Sequence, residues 1–267
     1  MKRKFITFTT DIGWFEELAM MKAVALEINP DLVILDLRHD IPPFDVREAA
    51  WTLESIAHLP VGYHVCVVDP GVGTSRKAIV IKTGRGDYLI GPDNGVLIPA
   101  CEILGGIENA VEITNEKYMR NPVSPVFHGR DVFTPAAAWL SRGVRINEFG
   151  PEIRKEELVP PPYREAKVSK GEVSGEIIHV NRFGNVFVNV RREEFEKSGI
   201  KHGDDVLIEI AGKKIKTKFL KTFGEVERNE PVLLPDDYGR VEIALNQGNF
   251  SKVYGAKPKD KVRIVKL

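Results

Sequence analysis

Four short polar loops hold the residue types that could do chemistry. They are Thr9-Thr10-Asp11-Ile12-Gly13, Asp69-Pro70-Gly71-Val72-Gly73-Thr74-Ser75-Arg76, Gly91-Pro92-Asp93-Asn94-Gly95 and Val126-Phe127-His128-Gly129-Arg130-Asp131. They offer two carboxylates (Asp11, Asp69), a guanidinium (Arg76), an amide (Asn94) and an imidazole (His128). A carboxylate and an imidazole beside a fixed cation can orient a small polar molecule and take a proton from it. Each residue alone has a plain structural role open to it: Asp11 as a helix N-cap, Asp69-Pro70-Gly71 as a β-turn, His128 as a satisfied core histidine. Their gathering at successive strand ends argues for one shared site. The Gly71-Val72-Gly73-Thr74-Ser75-Arg76-Lys77 stretch is no phosphate cradle. It lacks the G-x-x-x-x-G-K-[ST] spacing, and Arg76 stands at the third glycine of a G-x-G-x-x-G fingerprint.

The elements that must position these loops alternate through the first half. Strands are expected at Phe5–Phe8, Leu32–Leu35, Tyr63–Val68, Ala78–Thr83 and Tyr88–Ile90. Helices are expected at Phe15–Ile28, with Leu18, Met21, Ala25 and Ile28 on one face, at Phe44–His58 and at Asp131–Arg142. This alternation predicts an α/β domain with a mostly parallel central sheet. In such sheets ligands bind beyond the carboxyl ends of the strands, where all four loops emerge. Pro151 to Gly171, with Pro160-Pro161-Pro162 among charged residues, reads as a linker. After it come short runs at Glu176–Val180, Val186–Val190, Val206–Ile210, Lys214–Phe219, Val241–Leu245 and Lys261–Lys266, separated by Gly, Asn and Asp turns. They predict a small all-β, barrel-like domain. The expected division is an α/β domain over 1–150, a linker over 151–171 and a barrel-like domain over 172–267.

Composition narrows the function class. The 267 residues carry 38 Lys+Arg against 38 Asp+Glu, so no basic field favours nucleic acid. No apolar run approaches the ~20 residues of a membrane span. The basic Met1-Lys2-Arg3-Lys4 start is followed by too short an apolar run for a signal peptide. Cys66 and Cys101 stand far apart without a His/Cys cluster, which fits a reducing, cytoplasmic setting with neither zinc nor disulfide.

The ordered set Thr-Asp-Ile-Gly, Val-Val-Asp-Pro-Gly-Val-Gly-Thr, Gly-Pro-Asp-Asn-Gly and Phe-His-Gly-Arg-Asp, completed by Asn181-Arg182-Phe183-Gly184-Asn185 and Tyr238-Gly239-Arg240, resembles the S-adenosyl-L-methionine hydroxide adenosyltransferase family. That family is related to the fluorinases and chlorinases. The resemblance spans nearly the whole chain. It implies a homotrimer whose sites lie between one subunit's first domain and its neighbour's second. It also implies hydrolysis of S-adenosyl-L-methionine to adenosine and L-methionine by water attacking C5′, without metal or other cofactor. By the same resemblance the catalytic set falls on Asp69, Arg76 and His128, and the ribose diol on Asp11. Phe44 stands against the sugar, Phe183 and Asn185 meet the adenine and methionyl portions, and Tyr238 lies on a closing loop. Asn181 stands where relatives more often carry an aspartate. The halogenases have a hydroxyl residue in place of Gly129, a tyrosine in place of Asp69 and an extra loop that this chain lacks. Water rather than halide is therefore the expected nucleophile. The competing readings are a chlorinase-like halogenase and a non-catalytic adenosine- or S-adenosylmethionine-binding protein.

Overall fold

The computed structural model describes residues 4–267, so the basic Met1-Lys2-Arg3 lies outside the described residues. The chain divides into two units, one ending at Pro162 and one spanning Tyr163–Leu267. In the first, six strands form one sheet: β1 (Phe5–Thr10), β2 (Val33–Arg38), β3 (Tyr63–Val67), β4 (Ala78–Thr83), β5 (Tyr88–Pro92) and β6 (Ile107–Glu112), in the order β2-β1-β3-β5-β4-β6. The helices are α1 (Glu16–Ile28), α2 (Val46–Glu54), α3 (Ile98–Ile103) and α4 (Thr134–Ser141). Leu18, Met21, Val24 and Ala25 of α1 are buried, while Ile28 is only half-buried. Leu18, Met21 and Ala25 pack with Phe8, Val65, Phe133 and Ala136 in the core. Glu16 and Glu17 in the first turn oppose the helix dipole, and Pro30 stops the helix. The helix expected at Phe44–His58 is capped by the Asp45 side chain, which accepts from the amides of Arg47 and Glu48, and it tightens into a 3₁₀ turn at Ser55–His58.

The expectation of a mostly parallel sheet is corrected: the sheet is mixed. Pairs β1/β2, β1/β3 and β3/β5 are parallel, whereas β4 runs antiparallel to both β5 and β6. Only Gly84-Arg85-Gly86-Asp87 separates β4 from β5, a connection long enough for a hairpin and far too short for a parallel crossover. The reversal has a positional consequence. Ala78, which opens β4, pairs with Pro92, which closes β5. The start of β4 therefore lies at the same sheet end as the carboxyl ends of β3 and β5.

The second unit is all antiparallel apart from one closing bridge. Its strands are β7 (Lys167–Ser169), β8 (Glu172–Val180), β9 (Val186–Arg191), β10 (Asp205–Ile210), β11 (Lys213–Lys218), β12 (Pro231–Pro235), β13 (Arg240–Leu245) and β14 (Lys261–Lys266). They follow the order β11-β10-β14-β8-β9-β13-β12, with β7 beside β8. A bridge between Phe219 and Leu233, with the Leu220 N–H donating to the Leu233 carbonyl at 2.9 Å, nearly joins the two edges into a barrel. Val173, Ile177, Val188, Phe195, Ile208, Ile243, Phe250 and Ile264 fill it.

A buried ionic knot pins the amino end of β3. His64 Nε2 lies 3.2 Å from Asp87 Oδ1, and His64 Nδ1 lies 2.9 Å from the Thr7 hydroxyl. Arg85 forks onto Asp87 at 2.7 and 3.0 Å, and the Gly62 N–H donates to Asp87 at 3.0 Å. Burial alone would raise the Asp87 carboxyl; the hydrogen bonds from His64, Arg85 and Gly62 overcome it and hold the group well below the ordinary carboxylate range. Burial lowers His64, with the Asp87 charge opposing. Both groups thus bind fewer protons folded than unfolded, so acid destabilises the fold. The loss begins near the unfolded His value of about 6.5 and continues below the unfolded Asp value of about 3.9. The thermal midpoint is expected to fall as pH drops from 7 to 4, and His64→Gln should flatten the slope between pH 7 and 5. Asp87→Ala at pH 7 should cost about 3 kcal/mol in urea unfolding, because it leaves buried His64 and the Gly62 N–H without their acceptor and takes the charge partner from half-buried Arg85.

Candidate active site

Asp69 follows β3 and Arg76 precedes β4, and the reversed β4 brings them to one sheet end. The turn between them folds back on itself, with the Val72 N–H on the Asp69 carbonyl and the Thr74 N–H on the Gly71 carbonyl. Gly73 takes a φ of +76°, and a Cβ there would lie 2.7 Å from the Pro125 carbonyl oxygen, so only glycine fits. The glycines serve a turn, consistent with the failed phosphate-loop spacing. Arg76 grips Asp69 as a fork: Nε donates to Oδ1 at 3.0 Å and Nη2 to Oδ2. Nη2 also lies 3.1 Å from His128 Nδ1. A guanidinium has no acceptor, so Nδ1 must accept and the imidazole proton resides on Nε2. The Asp69 and Arg76 side chains are only 5% and 7% exposed, and Arg76 Nη1 is buried with no partner. The Arg76 guanidinium also lies 5.4 Å from the centre of the Phe133 ring. His128 is pushed below its ordinary value by burial and then by the Arg76 charge, with Asp69 and Asp131 opposing.

His128 is placed by a single π-helical turn, Gly129–Phe133, which leads into α4. Such turns concentrate at functional sites because they re-aim side chains. A Cβ on Gly129 would meet Val67 Cγ1 at 2.8 Å, so glycine permits the close approach of this turn to β3. Buried Asp131 is forked by Arg130 at 2.7 and 2.9 Å and accepts from the Ser124 N–H at 2.9 Å, which holds the loop before His128.

Asp11 follows β1. Its Oδ2 accepts from the Phe44 N–H at 2.9 Å, and Phe44 adopts a left-handed φ of 66° to present that amide. Asp11, Phe44, Asp69, His128 and Gly129 line one cavity of about 110 Å³, together with Ile12, Val67, Val72, Val126 and Phe127. Asn94 is not among its lining residues. Its Nδ2 donates to the Val68 carbonyl and its Oδ1 accepts from the Val96 N–H, so the amide is used to brace the strand end.

The remaining expected residues stand in the second unit. Phe183 lies on the turn between β8 and β9 and is 71% exposed; Tyr238 lies on the turn between β12 and β13 and is partly exposed. Asn185 is buried. Asn181 Oδ1 accepts from the Phe183 and Asn185 amides at 3.0 and 3.1 Å, an acceptor role that asparagine fills as well as aspartate. Sequence reasoning missed the support around Asp11. The Thr10 hydroxyl meets buried His39 Nδ1 at 3.0 Å, His39 Nε2 meets Asp36 at 2.9 Å, and the Gly13 N–H donates to the His39 carbonyl. The one available signal was Arg38-His39-Asp40 at a strand end. Among the described residues, no group of three or more His, Cys, Asp or Glu side chains could hold a metal ion.

Residues 6–150 match the SAM hydroxide adenosyltransferase N-terminal domain, and residues 175–263 match the C-terminal domain of the same family. The chain is 35% identical over 267 residues to a protein of Salinispora tropica named (R)-S-adenosyl-L-methionine hydrolase, covering 97% of each. A protein of the same name from Methanocaldococcus jannaschii is 35% identical, with 97% of this chain and 95% of the relative covered. A fluorinase of an Actinoplanes species is 26% identical, with 94% of each covered. Among solved structures, an uncharacterized conserved protein from Thermotoga maritima superposes with a TM-score of 0.91 at 36% identity, covering 97% of this chain and 99% of that one.

The electrostatics of the cluster can be tested directly. In a histidine NMR titration His128 should titrate below about 6.5. Arg76→Gln removes the cation while keeping Asp69, so the His128 midpoint should move upward; a downward shift would contradict the assigned cause.

Proposed function

The chain belongs to the SAM hydroxide adenosyltransferase family, and on that basis we propose that it hydrolyses S-adenosyl-L-methionine to adenosine and L-methionine, with water attacking C5′. The observation that carries the reading is that Asp69 and His128, bridged by Arg76, line one cavity with Asp11, in a protein matched along nearly its full length by named hydrolases. A sulfonium leaves without protonation, so the protein's task is to place one water in line with the C5′–S bond and accept its proton. Positioning of this sort contributes about 7–11 kcal/mol. Asp69 accepts the proton. Arg76, forked to Asp69, keeps the carboxylate from rotating away. His128, kept neutral by burial and by Arg76, accepts from Arg76 Nη2 through Nδ1 and so holds the guanidinium in place against Asp69. Asp11 has Oδ2 oriented by the Phe44 amide and presents its carboxylate to the two ribose hydroxyls. The reaction as proposed needs no metal and no other cofactor.

The family resemblance extends the proposal to assembly. A cavity of about 110 Å³ falls short of the ~300–1,000 Å³ typical of ligand pockets. In a homotrimer the remainder of the site comes from a neighbour's second unit, through Phe183, Asn185 and Tyr238. Exposed Phe44 and Val126 line the cavity and exposed Trp14 and Phe15 follow Ile12, giving apolar surface for a neighbour to cover. No helix among the described residues is long and apolar enough to cross a membrane, and we place the reaction in the cytoplasm.

Incubation with S-adenosyl-L-methionine in ¹⁸O-labelled water should give L-methionine and adenosine labelled at the 5′-hydroxyl. A 5′-halo-5′-deoxyadenosine as main product in chloride would overturn the hydrolase in favour of a halogenase, and the absence of multiple turnover would favour a binding protein. Asp69→Ala should lower kcat by about 10²–10⁴. Light scattering should give a trimer mass; a fully active monomer would refute the shared site.

A further inference from the structure

The first unit holds a second cavity, of about 330 Å³, where α1 packs against α4 beside the 3₁₀ turn Glu116–Tyr118. It exceeds the cavity at Asp69, shares no lining residue with it, and falls within the ~300–1,000 Å³ typical of ligand pockets. Its wall is apolar: Val24 and Ile28 of α1, Pro135 and Trp139 of α4, and Met119. Ile28, Met119 and Trp139 are only half-buried, so the fold leaves part of this wall uncovered. The indole is held in place by buried Tyr118, whose ring meets it edge-on at 6.0 Å and whose hydroxyl donates to Glu148 at 2.7 Å.

The rim is cationic. Lys117, Arg120 and Arg142 line it against a single carboxylate, Glu27. Among the described residues none of these four side chains makes an ion pair. Arg142 is anchored without being neutralised: its Nη1 donates to the Ile28 carbonyl at 3.1 Å, and its guanidinium lies 5.4 Å from the centre of the Trp139 ring. Lys117 Nζ lies 5.2 Å from the centre of the Tyr118 ring. The Arg120 N–H donates to the Asp131 carbonyl at 2.9 Å, which fixes the backbone, while its side chain makes no hydrogen bond among the described residues. The Asp131 carboxylate feels the Arg120 charge but is already forked by Arg130. Cations scattered over an open surface need no partner beyond water. Here three of them converge on one apolar hollow, and the excess of two positive charges selects the ligand. A phosphomonoester carries about −1.5 to −2 at pH 7 and offers three strong acceptor oxygens. Guanidinium forks match phosphate oxygens in geometry as well as charge.

We propose that this cavity is a second binding site, for a phosphomonoester carried on a flat or apolar body. Lys117, Arg120 and Arg142 take the phosphate oxygens, and Trp139 and Met119 with the apolar wall take the body. Glu27 at the rim opposes ligands with a second anionic group. The site stands apart from the hydrolase reading, because it uses none of the residues assigned to the reaction. It adjoins the catalytic loop through the backbone: α4 continues from the π-helical turn that places His128, and Arg120 braces Asp131 of that turn.

Phenyl phosphate is a suitable probe, being a phosphomonoester on a flat body and not a nucleoside. By calorimetry on the full chain it should bind once per chain, at least about tenfold tighter than inorganic phosphate, which lacks the body, and than phenol, which lacks the charge. Added salt should weaken it. Arg120→Gln removes an exposed charge that makes no hydrogen bond within the described fold, so the variant should fold, and Kd for phenyl phosphate should rise at least about tenfold. Equal affinity of the wild type for phenyl phosphate and inorganic phosphate overturns the site without requiring any variant. So does an unchanged Kd in Arg120→Gln. Loss of binding in Arg76→Gln but not in Arg120→Gln would put the probe in the cavity at Asp69 and overturn the proposal. No binding at all, as when a neighbouring subunit covers the cavity, overturns it as well.

Discussion

The forked contact between Asp69 and Arg76 sets what much of the surrounding chain must do. Both charges are almost wholly removed from solvent, and either one alone would be costly to bury. The fork therefore enforces itself: the turn that joins the two residues has to close, and Gly73 has to occupy the left-handed conformation against Pro125 that lets it close. One nitrogen of the same guanidinium reaches His128 on a second loop, 52 residues along the chain. A single cation thus joins two loops, and the site's donors and acceptors stand in place before any ligand arrives. Preorganisation of this kind is where enzymes gain most of their electrostatic advantage.

The sheet makes the fork possible. Arg76 precedes its strand while Asp69 follows one, so an all-parallel sheet would have put them at opposite ends. The β4–β5 hairpin reverses β4 and brings Arg76 to the carboxyl end of β3. Charge also anchors the other end of β3, where half-buried Arg85 forks onto Asp87, which is buried beside His64. The strand that delivers Asp69 is pinned at both ends by polar networks, and the apolar run of Val65, Cys66 and Val67 lies between them. The neighbouring strand β1 is treated likewise: the Thr10–His39–Asp36 chain steadies the turn that carries Asp11.

Much of this could be read from residue order. The bounds of α1, the strand–helix alternation, the turn at Asp69-Pro70-Gly71 and the apolar barrel strands all follow from local propensity and spacing. The elements that escaped were those whose local signal is weak. β6, Ile107-Glu108-Asn109-Ala110-Val111-Glu112, mixes polar and apolar residues because it is an edge strand. Helix α3 is six residues long and opens Ile98-Pro99. The sheet was expected to be mostly parallel because alternating elements suggest crossovers, and the brevity of Gly84–Asp87 carried the contrary signal. Asn94 was grouped with the site by position, whereas the folded chain uses both ends of its amide. His39 and Asp36 looked like ordinary polar residues, since nothing nearby in the chain announces their partners.

Residue order settles what acts over a few residues: where turns fall, which faces are apolar, which loops carry carboxylate, guanidinium and imidazole, and that the net charge is zero. Tertiary structure alone decided the direction of β4, the meeting of Arg76 with His128, the cavity shared by Asp11 and Asp69, and the pairing of Asn185 with Glu242 across 57 residues. The reason is physical. Local conformational preferences are set by a residue and its immediate neighbours, whereas a buried polar group is stable only where a partner arrives from elsewhere in the fold. That arrival is fixed by how strands pair and what they exclude from water.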